Sequence, residues 1–140
     1  MADSSLLDAA VVNKLLGDST LMGLLPDGVY IDYVTPGAQR YTLIAITSAP
    51  DTSMFGARAF EAPVYQVYAV ALSVTGANIQ AAAARIDALL DGATVSATGY
   101  RPAVLYRLSR VRHSDPDTQD ASHRWQTRGG EYGLLAAALN

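Results

Sequence analysis

The chain has 140 residues, half of them apolar, with thirteen acidic and ten basic residues and a net charge of −3. That length suits one domain with a single core, and the charge gives no general argument for nucleic acid or anionic lipid. With no cysteine the chain has no disulfides and no thiolate metal sites. No apolar run reaches the ~18 residues a spanning helix needs, so no membrane contact is expected. The opening Met1-Ala2-Asp3-Ser4-Ser5 lacks a basic segment and a signal-peptide core, which predicts a chain made in a cytoplasm.

Leu6, Leu7, Ala10, Val11, Lys14 and Leu15 hold helical spacing, which predicts a helix over 5–16 capped by Ser4 or Ser5 and ended by Gly17. Asp18 can cap a short second helix over 19–25, closed by Pro26-Asp27-Gly28. A short strand is expected over 29–34, a turn at Thr35-Pro36-Gly37 and a strand over 41–48 with Leu43, Ile44 and Ile46 as core candidates. Residues 49–62 read as a long irregular connection holding Met54 and the chain's two phenylalanines, Phe55 and Phe60.

From Pro63 the pattern becomes regular. Val64, Tyr68, Val70, Leu72 and Val74 alternate with Tyr65, Val67, Ala69, Ala71 and Ser73, the period of a two-faced strand. After Thr75-Gly76, Ile79, Ala82, Ala83, Ile86, Leu89 and Leu90 form a helical stripe over 77–90, and Gly92 supplies the stop. A strand over 101–111, a polar turn over 113–121 and a returning strand over 122–128 follow. Gly129-Gly130 reads as a bulge that shifts phase, and 132–138 as further strand or a frayed tail. The order predicts one α+β domain over 1–140: a mostly antiparallel twisted sheet, with an N-terminal and a central helix on one face. Ala69 and Ala71 are expected to smooth the opposite, partly open face, which would suit a neighbour.

Charge is unevenly placed. Arg101, Arg107, Arg110, Arg112, Arg124 and Arg128 are six of the ten basic residues and fall in the last forty positions, while nine of the thirteen acids fall in the first hundred. Such a division suits head-to-tail contact between copies, although exposed charges are usually just solvated. Met54, Phe55 and Phe60 sit among small residues that shield them poorly, so they either fold back over the sheet or dock on a partner. With Arg58, Arg107, Arg110, Arg112, Arg124 and Arg128 they are the interface candidates. Trp125 suits core packing or an interface.

Catalytic patterns are weak. Gly17-Asp18-Ser19, Gly76-Ala77-Asn78 and Asp120-Ala121-Ser122-His123 resemble the blocks of GDSL-type esterases in the right order. That nucleophile should follow a buried parallel strand, and here it follows a helix, so no catalytic role is expected. His113 and His123 flank the turn containing Asp115, Asp117 and Asp120 and are expected to face each other across a hairpin, but the spacing suits neither structural zinc nor a calcium loop. No phosphate loop appears, so neither cofactor nor metal is expected.

Several segments resemble the tail-terminator, or tail-completion, proteins of long-tailed phages and gene-transfer particles. They are Leu15 to Leu21 with Gly28-Val29-Tyr30, Arg40 to Ile44, Gln66 to Val74 with Ala77 to Leu90, and Arg110 to His113 with Ser122 to Trp125. The resemblance covers nearly the whole chain and implies a similar fold and a structural, non-enzymatic virion protein. It implies a homo-oligomeric ring, usually a hexamer, at the head-proximal end of the tail tube. Such a ring contacts the tail tube protein and a head-completion or stopper protein, and genome DNA can pass through it without specific binding. Assembly would occur in the host cytoplasm, and the protein would reside in the tail or neck of the particle. Another neck component is the nearest alternative, and a GDSL-type esterase the more distant one.

Overall fold

The computed structural model describes residues 3–48, 51–54, 57–73, 77–119 and 123–139. In chain order the elements are α1 (Ser5–Leu16), α2 (Ser19–Leu24), β1 (Val29–Ile31), β2 (Arg40–Ser48), β3 (Asp51–Met54), β4 (Ala57–Glu61), β5 (Val64–Ser73), α3 (Ala77–Leu90), β6 (Thr94–Val95), β7 (Ala103–Pro116), β8 (Arg124–Leu134) and β9 (Ala136–Ala137). Six strands form one sheet in the order β1-β2-β5-β8-β7-β6, antiparallel except for the parallel pair β1-β2. Three more, β3-β4-β9, form a small second sheet. The fold is α+β with a curled, mostly antiparallel sheet, as the element order predicts.

The alternation in β5 decides which face is the core. Tyr65, Val67, Ala69 and Ala71 are buried, and with Ile44, Leu105, Tyr132 and Leu134 they join one cluster. The helices bury Leu7, Val11 and Leu15 from α1, Leu21 from α2, and Ile79, Ala82, Ile86 and Leu90 from α3 into that cluster. These spacings of three and four residues put each set on one helical stripe, and fully burying one such Leu or Ile stabilises by roughly 1.5–3 kcal/mol. Ala69 and Ala71 therefore face inward, contrary to the expectation that they smooth the open face. Small side chains there let the helix layer lie close to the sheet.

Four further expectations need correction. The N-cap of α1 is Ser4 as expected, but its side chain makes no capping bond and its hydroxyl donates to Glu61, while Asp3 Oδ1 accepts from the Ser5 N–H at 3.0 Å and the Ser5 hydroxyl at 2.8 Å. The connection before β5 is not irregular, because its described residues form the β3-β4 hairpin, with Asp51 opposite Glu61 and Met54 opposite Ala57. Strand β7 runs on to Pro116, so the polar turn is shorter than expected, and His113 lies opposite Thr127 rather than His123. Gly129 and Gly130 do not shift the phase of β8. Its register with β5 is continuous from Val64↔Gly133 to Ser73↔Arg124, and the irregularity lies in β7 between Arg107 and Ser109. Trp125, for which core and interface both stood open, is half-buried and lies outside the core cluster.

The glycine pair answers a steric demand. A Cβ on Gly129 would sit 2.0 Å from the Val67 carbonyl oxygen, and one on Gly130 would sit 2.6 Å from that of Ser109. Two glycines in mid-strand let both neighbouring strands close on β8.

Candidate functional site: an arginine cleft and the opposite sheet edge

Along β7 and β8 the helix-facing positions follow from the register. Arg107 pairs with Tyr132, Arg110 with Gly130 and Arg112 with Arg128. The irregularity at Leu108 keeps all three β7 arginines on the helix side, because the extra residue restores the alternation. There the hairpin extends past the packed core, and its arginines meet the flank of α3. The result is a cleft of about 630 Å³ lined by Gln80 and Asp87 of α3 and by Arg107, Arg110, Arg112 and Arg128, among others.

One end of the cleft is neutralised. Asp87 accepts the Tyr132 hydroxyl at 3.0 Å and lies 3.2 Å from the Arg107 guanidinium. Asp91 accepts the Arg107 backbone N–H at 2.9 Å. Burial, reinforced by the bond to Asp87, pushes the Tyr132 hydroxyl well above its ordinary pKa, so it stays protonated. At the other end Arg112 and Arg128 stand directly opposite each other, a like-charge arrangement that is destabilising in a sheet. Among the described residues, no acid pairs with Arg110, Arg112 or Arg128.

Of the interface candidates, Arg107, Arg110, Arg112 and Arg128 are thus brought together, and Arg124 is not. Its guanidinium donates to the Ser114 hydroxyl at 2.9 Å and the Ser114 carbonyl at 3.4 Å near the hairpin tip. Phe60 lies in the small sheet opposite Ala137 and is 40% exposed. The backbones of Met54 and Arg58 belong to the β3-β4 hairpin, and Phe55 lies outside the described residues.

The opposite edge of the sheet carries a feature the sequence reading missed. Strand β1 stops at Ile31, where a strand to residue 34 is expected. Asp32 has φ 60°, the one positive φ at a non-glycine among the described residues. The Tyr33 N–H donates to the Ile31 carbonyl at 2.6 Å, closing a γ-turn of the strained left-handed kind around Asp32. Such a backbone costs of order 1–3 kcal/mol and collects at functional positions. The turn is anchored by the Asp32 N–H donating to the Ile44 carbonyl at 2.9 Å. Ile31 is 37% and Tyr33 71% exposed. Nothing in Ile-Asp-Tyr announces a γ-turn, since no glycine marks it.

The esterase-like blocks have structural duties. Asp18 caps α2 by accepting the Leu21 N–H at 2.9 Å, and it takes two hydrogen bonds from Arg85 of α3, at 2.8 and 2.5 Å. Hydrogen bonding by the Arg85 guanidinium holds its carboxyl down to about 2. Ser19 opens α2, between two helices and not after a strand. Gly76 and Asp120 to Ser122 lie outside the described residues. His113 lies 2.6 Å from Asp115, both largely exposed, and no cluster of three metal-ligating side chains occurs among the described residues.

A second polar cluster is structural. Buried Glu61 accepts hydrogen bonds from the Ser4 and Tyr100 hydroxyls, and Tyr65 donates to Asp8 at 2.7 Å. Burial pushes the Asp8 carboxyl up despite that bond. These contacts tie α1, β4, β5 and the segment before β7 together.

No protein-family model and no curated protein sequence matches the chain. Among the solved structures that share its fold, two align along nearly its whole length. A chain of the structure titled "Virion of native gene transfer agent (GTA) particle" is 22% identical, with 97% of this chain and 98% of that one aligned at a TM-score of 0.73. A second solved chain is 15% identical over 100% of this chain and 99% of that one, at a TM-score of 0.63.

Proposed function

We propose that the chain is a tail terminator of a phage-type particle. It forms a ring, six subunits in the reading favoured here, on the head-proximal end of the tail tube. The ring halts tube growth and offers its other face to the head-completion or stopper protein. No covalent chemistry is involved. The observation that carries this reading is the end-to-end likeness to one chain of a gene transfer agent virion, with almost nothing left over on either side. A shared fold without insertions suits a part with the same place in a repeating assembly. The separation of an arginine-rich cleft on β7-β8 from acids elsewhere on the chain suits heterologous contacts, and these close into rings.

Such a protein acts by mass action. Many modest contacts, each formed only when its neighbour is present, make the last subunit of a ring bind far more tightly than the first. The electrostatic share of those contacts weakens with salt, because exposed pairs contribute only ~0–1 kcal/mol each and are screened.

Deleting the gene in particle-producing cells tests the proposal. Electron microscopy is expected to show tubes of uncontrolled length without attached heads, restored by the intact gene in trans. Tails of normal length lacking only the head joint would move the chain to another neck position. Normal, complete particles would refute the reading.

A further inference from the structure

Resting on the ring reading above, we propose that the Ile31-Asp32-Tyr33 turn of one copy seats in the arginine cleft of the next, with the Asp32 carboxylate held by Arg110, Arg112 and Arg128. The two features lie on opposite edges of one sheet and at the same level across it. The register runs Ile31↔Ile44, Ile44↔Val67, Val67↔Gly130 and Gly130↔Arg110. Four interstrand steps of roughly 4.8 Å put them about 19 Å apart within one copy. They cannot meet inside a chain, but they come face to face when copies stand edge to edge.

Both edges are open to such a contact. Strand β1 is only three residues long, and β6 covers β7 only at Ala103 and Val104. Beyond Arg107, whose N–H Asp91 caps, β7 has no outer strand partner among the described residues. The cleft suits an anion, since Arg112 and Arg128 stand opposite each other while Asp87 serves Arg107. A single carboxylate fits between arginines as a forked acceptor. The turn supplies that carboxylate on a strained, anchored backbone, beside an aromatic ring that is 71% exposed. Tyr33 suits the role of anchor, and a guanidinium is a good partner for its ring face. A nucleic-acid phosphate is the competing anion. It is disfavoured because α3 walls one side of the cleft and Asp87 lines it, which leaves room for a side chain rather than a duplex backbone.

The test replaces Tyr33 with a photoreactive benzoyl-phenylalanine, which keeps an aromatic ring and leaves Asp32 in place, in particles assembled with all their other proteins. Irradiation is expected to give dimers and higher multimers of this chain, with the adduct mapping by mass spectrometry to β7, β8 or α3 of the neighbouring copy. Asp32→Asn, which still tolerates the left-handed turn, is expected to lower the amount of this chain retained on particles at least tenfold while leaving the melting temperature unchanged. Adducts confined to other segments, or to another protein, would overturn the proposal, as would normal retention of Asp32→Asn. Retention lost in Arg112→Gln with Arg128→Gln but intact in Asp32→Asn would assign the cleft to a different anion, including DNA. If microscopy still shows a ring in those cases, the site is wrong and the ring reading stands. If no ring is seen, the ring reading falls first.

Discussion

Replacing Gly129 with alanine tests how closely β5 and β8 approach. The added Cβ would sit 2.0 Å from the Val67 carbonyl oxygen, 2.8 Å from the Tyr68 Cα and 2.9 Å from the Val67 carbonyl carbon. All three are backbone atoms in the middle of a ten-residue strand, so no side chain can swing aside. The two strands must separate or twist locally, and overpacking of this kind costs about 1–3 kcal/mol, with rigid backbone favouring the upper end. Restricting the unfolded chain returns about 0.4–1 kcal/mol, leaving a net loss of about 2 kcal/mol. Unfolding entropy of about 2.1 cal/mol/K per residue converts that loss to a melting temperature roughly 7 °C lower for this chain. Gly23→Ala is the control. It lies inside α2 with no atom within 4 Å of the new methyl, and it is expected to raise the melting temperature by about 2–3 °C, as a gain of about 0.5–1 kcal/mol implies. Calorimetry on both variants decides the matter. A Gly129→Ala melting point within about 2 °C of the parent would mean that β5 and β8 are not so closely spaced.

Glu61→Ala removes the acceptor of two hydroxyl hydrogen bonds, from part-buried Ser4 and buried Tyr100, which costs about 1–3 kcal/mol; denaturant titration should show an earlier midpoint, and an unchanged midpoint would count against the cluster. Asp18 stabilises α2 in its ionised form. With its carboxyl lowered from 3.8 to about 2, that contribution is present above pH 3.8 and lost as pH falls through about 2; acid unfolding followed by circular dichroism should lose this component in Asp18→Asn. Phe60→Ser together with Phe55→Ser should leave the melting temperature of the free chain within a few degrees while reducing particle completion, since Phe60 is 40% exposed; unfolding of the isolated chain would place these rings in its own core.

The central unit was legible because its signals are long and agree with each other. A period of two over ten residues, then a helical stripe over fourteen, predicts β5 and α3 with correct bounds for the helix. Which face of β5 is buried was not legible, since both sets of alternating residues are apolar. The helix layer settled it by taking the alanine face. The β3-β4 hairpin was missed because, apart from Met54 and Phe60, its residues are small or polar and carry little periodicity, and its third strand, β9, lies more than seventy residues away. Gly-Gly was misread as a bulge because a glycine in a strand signals either a bulge or a close approach, and only the neighbouring strands tell which. At the candidate site, the arginine-rich C-terminal portion was visible as composition. The cleft was not, because it depends on an irregularity in β7 that puts Arg107, Arg110 and Arg112 on one face, and on α3 reaching across from 20 to 30 residues earlier in the chain.

The stabilising residues and the candidate contact residues are largely separate. The core draws on the inward residues of β5, the helix stripes and the Glu61 and Asp8 hydrogen bonds, none of which involves Arg110, Arg112, Arg128 or Asp32. Arg112 and Arg128 are like charges directly opposite each other, and Asp32 sits on a strained backbone whose N–H donates to the Ile44 carbonyl. A chain selected only for its own stability would have little reason to keep them. The repulsion between Arg112 and Arg128 is screened by water and ions, and an oppositely charged group between them would relieve it more fully. In the edge-to-edge contact proposed above, Asp32 of the next copy is that group. Under the proposed ring reading, a contact that forms only when a neighbour is present would let subunits close on a tube end and remain dispersed elsewhere.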